Sequence, residues 1–209
     1  MTAKLRIVTK SELRRQARAL RAQHAADAPV SFLAALRALP AWTQARTVAL
    51  CLSAGIEPPT DDLIADCFAA GRRVAVPAWV PDAVPPDGLC VFPPPGAYAL
   101  AELAPGEPLA PGPCGIPEPA RPRWTPPERI DLFVLPGLLF DRAGTRLGHG
   151  RGHLDRLLAG RRPDAFVIGL AFPWQLWPSP LPREPHDVPM DAVLLPDGPP
   201  VLAGRGAVC

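Results

Sequence analysis

The stretch RLGHGRGHLDR, Arg146 to Arg156, gathers residue types suited to holding an anion. Gly148, Gly150 and Gly152 alternate with His149, Arg151 and His153, and Asp155 follows three residues after the last glycine. Alternating glycines let the backbone approach a ligand closely, and successive N–H groups ahead of a helix present donors to an anion. Arg146 and Arg151 add full positive charges. The loop has neither the GKS or GKT ending of a Walker A loop nor the GxGxxG spacing of a dinucleotide fingerprint. Three readings therefore stand: a phosphate cradle, a histidine metal site, or a glycine turn joining strand to helix. Zinc is disfavoured, because Gly150 and Gly152 interrupt the helix that would put His149 and His153 on one face, and no HExxH glutamate is present. Asp155 and Asp187 are hard oxygen ligands that suit magnesium held beside phosphates, although for either alone an ordinary loop or helix-start charge is the favoured reading.

Such a loop needs a scaffold, and the flanking pattern supplies one. IDLFVLPG, residues 130 to 137, is a continuous apolar strand, and a helix near Leu154 to Arg161 follows the glycine run. Upstream, Thr9 and Glu12 have capping-box spacing ahead of a helix over about 10 to 25, whose Leu13, Ala17 and Leu20 recur beside Arg14, Arg15, Arg18 and Arg21. SFLAALRAL predicts a second helix stopped by Pro40, TVALCLS a buried strand, and Thr60 is the expected side-chain N-cap of a helix ending at Gly71. RRVAVPAW, LCVFP, DAFVIGLAF and DAVLLP complete the strand candidates. Short apolar strands separated by helices predict an α/β fold, a mostly parallel sheet with helices on both faces. In such sheets ligands collect beyond the carboxyl ends of the strands, where the glycine loop would lie.

A chain of 209 residues is expected to form a single domain, 1 to 209. Its 31 prolines far exceed the roughly 5% norm, and about half lie between Pro77 and Pro127, so a long irregular excursion is expected over about 93 to 127. No apolar run approaches a membrane span, and the start shows no secretory h-region, so no membrane association and a cytoplasmic location are expected. Five scattered cysteines without a CxxC suit reduced thiols. A net charge of only +2 gives no basic stripe for nucleic acid, so any anion site must be local. The sequence does not set the oligomeric state, and a monomer is compatible with it.

Four ordered blocks make the chain resemble the 5-formyltetrahydrofolate cyclo-ligase, or methenyltetrahydrofolate synthetase, family over about Lys10 to Leu195. They are KSELRRQARALR; LSAGIEPPTDDLIADCFAAGRRVAVP; GIPEP; and DLFVLPGLLFDRAGTRLGHGRGHLDRLLAG with IGLAFPWQL and HDVPMDAVLLP. The resemblance implies a three-layer, Rossmann-like fold similar to the CoA-transferase-like group. It also implies an ATP- and Mg2+-dependent ring closure, in which the formyl oxygen of 5-formyltetrahydrofolate attacks the terminal phosphate of ATP. The second folate amine then closes on the activated carbon, and 5,10-methenyltetrahydrofolate, ADP and phosphate result.

By matching position, Lys10 and Arg14 look like phosphate contacts, and Arg146 with Gly148, Gly150, Arg151, Gly152 and His153 looks like the ATP cradle. Arg146 and Arg151 are the implied catalytic charges. Asp155 and Asp187 are similar to the family's magnesium carboxylates, Glu57 to a pterin contact, and His149 and His153 to substrate-facing positions. The chain departs from the family where GHLD replaces GYYD and where Cys114 precedes GIPEP in place of an aromatic residue. The phosphate half thus matches better than the folate half, which keeps open an alternative: a diverged paralogue that binds nucleotide or phosphate but has another substrate or a regulatory role. Trp79, Trp124, Trp174 and Trp177 are the residues able to restore lost aromatic area, and the sequence assigns none of them.

Overall fold

The computed structural model describes residues 8–27, 30–81 and 96–203. Helix α1 (Lys10–Gln23) starts at the expected capping box, with the Thr9 side chain accepting from the Glu12 N–H and Glu12 reaching back to Thr9. The second predicted helix is two short ones, α2 (Leu33–Arg37) and α3 (Pro40–Gln44). Pro40 both stops one and opens the next, because its fixed φ and missing N–H suit a first turn. After β1 (Thr47–Leu50), Thr60 heads α4 (Asp61–Ala69) through its carbonyl only. Its hydroxyl instead donates to the Cys51 carbonyl and meets the Ser53 hydroxyl, pinning the loop that leaves β1.

The main sheet has eight strands in the order β12-β11-β10-β7-β1-β2-β3-β6. Its parallel centre is β11 (Ala192–Leu194), β10 (Phe166–Leu170), β7 (Leu132–Leu135), β1 and β2 (Arg73–Val80). The edges are antiparallel: β12 (Val201–Leu202) on one side, β3 (Ala97–Leu103) and β6 (Trp124–Thr125) on the other. Alternate residues enter opposite cores, as the period of two requires. Val48, Leu50, Leu132, Val134 and Ile168 pack with α2, α3 and α4, whereas Ala49, Phe133, Leu135 and Val167 pack with Leu157 and Leu158 of α5 (His153–Ala159). Helices thus cover both faces, as expected for the three-layer class.

The described part of the proline-rich excursion alternates short strands with irregular chain, so it carries strands that its composition does not announce. Within it, β3 runs in register with β2 from Val74↔Leu103 to Val80↔Ala97, and β4 (Leu109–Pro111) pairs with β5 (Pro117–Pro119). AYALAEL itself contains no proline, and the prolines of β4 and β5 lie in a separate two-stranded edge ribbon, where the loss of a donor is tolerated. LCVFP lies outside the described residues.

A third apolar cluster positions the site. Leu13 and Ala17 of α1 pack on Leu138, Leu139 and Leu147, which belong to or flank the β8 (Leu139–Phe140) and β9 (Arg146–Leu147) hairpin. The hairpin is braced by buried Asp141, whose carboxylate accepts from the N–H groups of Ala143, Thr145 and Leu181. Because α1 and β9 share this core, the basic face of α1 is set against the glycine loop that follows β9.

Candidate active site

A cleft of about 590 Å³ opens beyond the carboxyl ends of β1 and β7, lined there by Cys51, Leu52, Pro136 and Gly137. Every residue assigned to the site from the sequence lines it: Lys10 and Arg14 from α1, Glu57 from the loop after β1, Arg146, Gly148 to His153, Asp155 and Asp187. It also takes in Arg18, Arg21, Tyr98 and Glu184, to which the sequence reading gave no role in the site, and His186, which entered only with Asp187 in the disfavoured histidine-metal reading. Arg14, Arg18 and Arg21 recur at helical spacing, so the shared basic face was legible; what it faced was not.

Arg146 is the most deeply set cation, with a side chain only 4% exposed. Its Nη2 donates to both oxygens of Asp155 at 3.0 Å, while its Nε is buried without a hydrogen-bond partner among the described residues. The loop beyond it is closed from the other side by Arg14, whose Nε donates to the Gly148 carbonyl at 3.0 Å. Gly150 has φ +100°, and a Cβ there would come within 3.0 Å of Arg14 Cζ. At Gly148 a Cβ would meet Arg146 Nη1 at 2.9 Å. Gly150 thus needs to be glycine for its backbone conformation as well as for space, whereas at Gly148 a side chain would have to displace the end of Arg146.

The concentration of cations is visible in His149, whose pKa is held below the ordinary imidazole range by burial and then by Arg21, Arg18, Arg14 and Arg146. His153 is likewise lowered by burial, Arg156 and Arg151. Such a field suits a polyanion and favours neutral imidazoles. Cys51 is driven up to about 12, by burial and then Glu57, so its thiol stays protonated. Glu57 is raised by burial, with the Ala54 N–H and the Arg21 charge opposing.

The candidate metal carboxylates each hold a side-chain cation. Asp155 pairs with Arg146, whereas Asp187 Oδ2 accepts from Lys10 Nζ at 2.6 Å and from the Glu184 N–H at 2.7 Å. Lys10 also reaches Glu184 at 2.8 Å. Burial works against the Lys10 charge, but the hydrogen bonds and charges of Asp187 and Glu184 outweigh it and raise the pKa. Glu184, His186 and Asp187 bring one ligand atom each within 4.8 Å of one another. The Lys10 ammonium thus already marks a position where two carboxylates accept a cation. Asp187 and Glu184 bring together hard oxygens, the donor type magnesium takes, whereas Asp155 is outside that group and is held by Arg146.

The aromatic surface is less depleted than the GHLD motif suggested. Tyr98 and His153 line the cleft with ring centroids 5.1 Å apart, and Trp79 packs edge-on against both, at 5.2 Å and 6.1 Å. Ring surface comes to the cleft from Tyr98 on β3, which Trp79, directly opposite on β2, backs from behind. No linear motif joins Trp79 to Tyr98, so only the sheet register reveals them as one surface.

The doubly covered α/β sheet thus sets a cationic glycine loop and aromatic rings along one cleft, a combination that suits an anion beside a flat ring. The 5-formyltetrahydrofolate cyclo-ligase family model matches residues 2–196. The 5-formyltetrahydrofolate cyclo-ligase of Mycolicibacterium smegmatis is 35% identical over 154 residues, covering 72% of this chain and 74% of that protein. The Escherichia coli enzyme of the same name is 31% identical over 160 residues, covering 75% and 81%. Among solved structures, the 5,10-methenyltetrahydrofolate synthetase of Aquifex aeolicus superimposes with a TM-score of 0.73 at 25% identity, over 97% of each chain. The chain belongs to the 5-formyltetrahydrofolate cyclo-ligase family, a family of ligases. Among the described residues, no helix is long and apolar enough to cross a membrane.

Proposed function

We propose that the protein is an ATP- and magnesium-dependent 5-formyltetrahydrofolate cyclo-ligase that forms 5,10-methenyltetrahydrofolate and releases ADP and phosphate. The observation that carries this reading is the single cleft in which Lys10, Arg14, Arg146 and Arg151 surround a glycine loop on one side while Tyr98 and His153 offer ring surface on the other. A phosphoryl donor and a flat heterocycle are the two partners such a cleft suits.

In this reaction the formyl oxygen bonds to the terminal phosphorus as the bond from phosphorus to ADP breaks. The second folate amine then adds to the activated carbon and loses its proton, and phosphate departs with the former formyl oxygen. Neither step needs a side-chain nucleophile, which accords with a Cys51 thiol held neutral. The requirement is positioning and charge. Arg146, fixed by Asp155, provides a charge that need not reorganise as the phosphoryl group transfers. Arg151 and the glycine amides cradle the phosphates, Lys10 and Arg14 reach them from α1, and Glu57 receives the pterin N–H groups. When bound, magnesium would neutralise phosphate charge beside Asp155 and Asp187.

The test is turnover. Purified protein with ATP, magnesium and 5-formyltetrahydrofolate is expected to generate the methenyl chromophore. Folded protein that binds ATP yet forms no product above the uncatalysed rate would overturn the reading in favour of a diverged nucleotide-binding paralogue.

A further inference from the structure

Strand β1 pairs with β2 only as far as Ala49↔Ala75, so among the described residues no strand is hydrogen-bonded to the later part of β2 on that side, although β3 follows it to Val80. The Trp79 N–H in that stretch is taken by Glu118 of β5, whose Oε2 accepts it at 2.9 Å. Glu118 is 8% exposed, and its Oε1 has no hydrogen-bond partner among the described residues. A carboxylate is a costly way to satisfy one buried amide.

The neighbouring chain is shaped around it. A Cβ at Gly112 would overlap Glu118 Cδ and Oε1. Gly112 has φ −90°, which any residue adopts, so it is glycine for space rather than for conformation. Burial pushes the Glu118 carboxyl up toward its neutral form, with the Trp79 N–H opposing. Trp79 does not itself line the cleft; it backs Tyr98 and His153, which do.

We propose that Glu118 is a positioning residue for the substrate side of the cleft: it holds the Trp79 main chain, and through Trp79 sets the Tyr98 and His153 rings against the flat ring of the substrate. The proposal rests on the cyclo-ligase reading for the identity of that substrate. Glu118 touches no reacting atom, so its removal should alter how the folate is bound while leaving the phosphate side alone.

The experiment is steady-state kinetics on Glu118→Ala and Glu118→Gln, each also combined with Trp79→Leu. Glu118→Ala is expected to raise the KM for 5-formyltetrahydrofolate about tenfold, as expected for one lost buried hydrogen bond, with the KM for ATP within about twofold of wild type. Glu118→Gln, whose amide oxygen accepts the same N–H, is expected to restore most of the affinity. In the Trp79→Leu background, Glu118→Ala should add little. Equal rises in both KM values, a loss of kcat alone, or a full Glu118 effect without the Trp79 ring would each overturn the proposal. Should the alanine variant not fold, Glu118→Met removes the acceptor while keeping bulk. Wild-type protein without turnover refutes the cyclo-ligase reading instead. Positioning is then judged by the His153 ring-proton resonance, which must shift in Glu118→Ala and return in Glu118→Gln; an unmoved resonance overturns it.

Discussion

The Arg146–Asp155 pair yields an unequal prediction for its two partners. The Arg146 side chain is 4% exposed and that of Asp155 19%, with Nη2 3.0 Å from both carboxylate oxygens. In Arg146→Met the stranded carboxylate can take up water, and it retains a long contact from the Val188 N–H at 3.4 Å. In Asp155→Ala the guanidinium is left charged and enclosed, with its Nε already lacking a partner among the described residues. Breaking a buried pair costs about 3–5 kcal/mol and an exposed one about 0–1 kcal/mol. Between those limits, Asp155→Ala should lose about 3 kcal/mol and Arg146→Met about 1–2 kcal/mol. At roughly 2–4 °C per kcal/mol for a domain of this size, the midpoints should fall by about 6–12 °C and 2–8 °C. The double variant, in which neither charge is stranded, should be at least about 1 kcal/mol more stable than the sum of the single losses requires. Calorimetric or fluorescence-detected melting of all four proteins without ligand measures this. Additive losses, or a larger loss for Arg146→Met, would refute the view that Asp155 neutralises an enclosed Arg146.

Two further outcomes accompany the turnover and Glu118 experiments. Gly150→Ala, forced to φ +100° with its Cβ 3.0 Å from Arg14 Cζ, should cost about 1–3 kcal/mol and weaken ATP binding; thermal melting and calorimetry check both. His149, titrated by NMR, should show a pKa below that of an unstructured imidazole in the free protein and a higher one with ATP bound, because phosphates offset the surrounding arginines. The sign has a stability consequence: a depressed folded-state pKa means the unfolded chain binds the proton more readily, so falling pH through the ordinary histidine range removes stability. An unchanged His149 pKa on saturation with ATP would move the phosphates away from the glycine loop.

How much of this was legible in advance divides along physical lines. Buried parallel strands carry continuous apolar runs, so β1, β7 and β10 stand out in the chain with no knowledge of their partners. The capping box of α1 is equally local, since both hydrogen bonds fall within three residues. Thr60 has the residue type of an N-cap, but its hydroxyl is claimed by Cys51 and Ser53, a competition decided by how the chain returns from β1. β3 was hidden because proline-rich flanks dominate the composition of its surroundings, whereas its pairing depends on β2.

The same division runs through the site. The sequence alone determined the glycine loop, its arginines and Asp155, because strand, loop and helix are contiguous and their chemistry lies in the order of residues. Only the tertiary structure decided what those groups face. The Leu13 and Ala17 contacts bring the α1 arginines onto the loop, Lys10 closes on Asp187 and Glu184 from the far end of the chain, and the β2–β3 register builds an aromatic wall from Trp79 and Tyr98. These are contacts between segments distant in sequence, set by the burial of apolar faces, which residue order expresses only through the fold it produces.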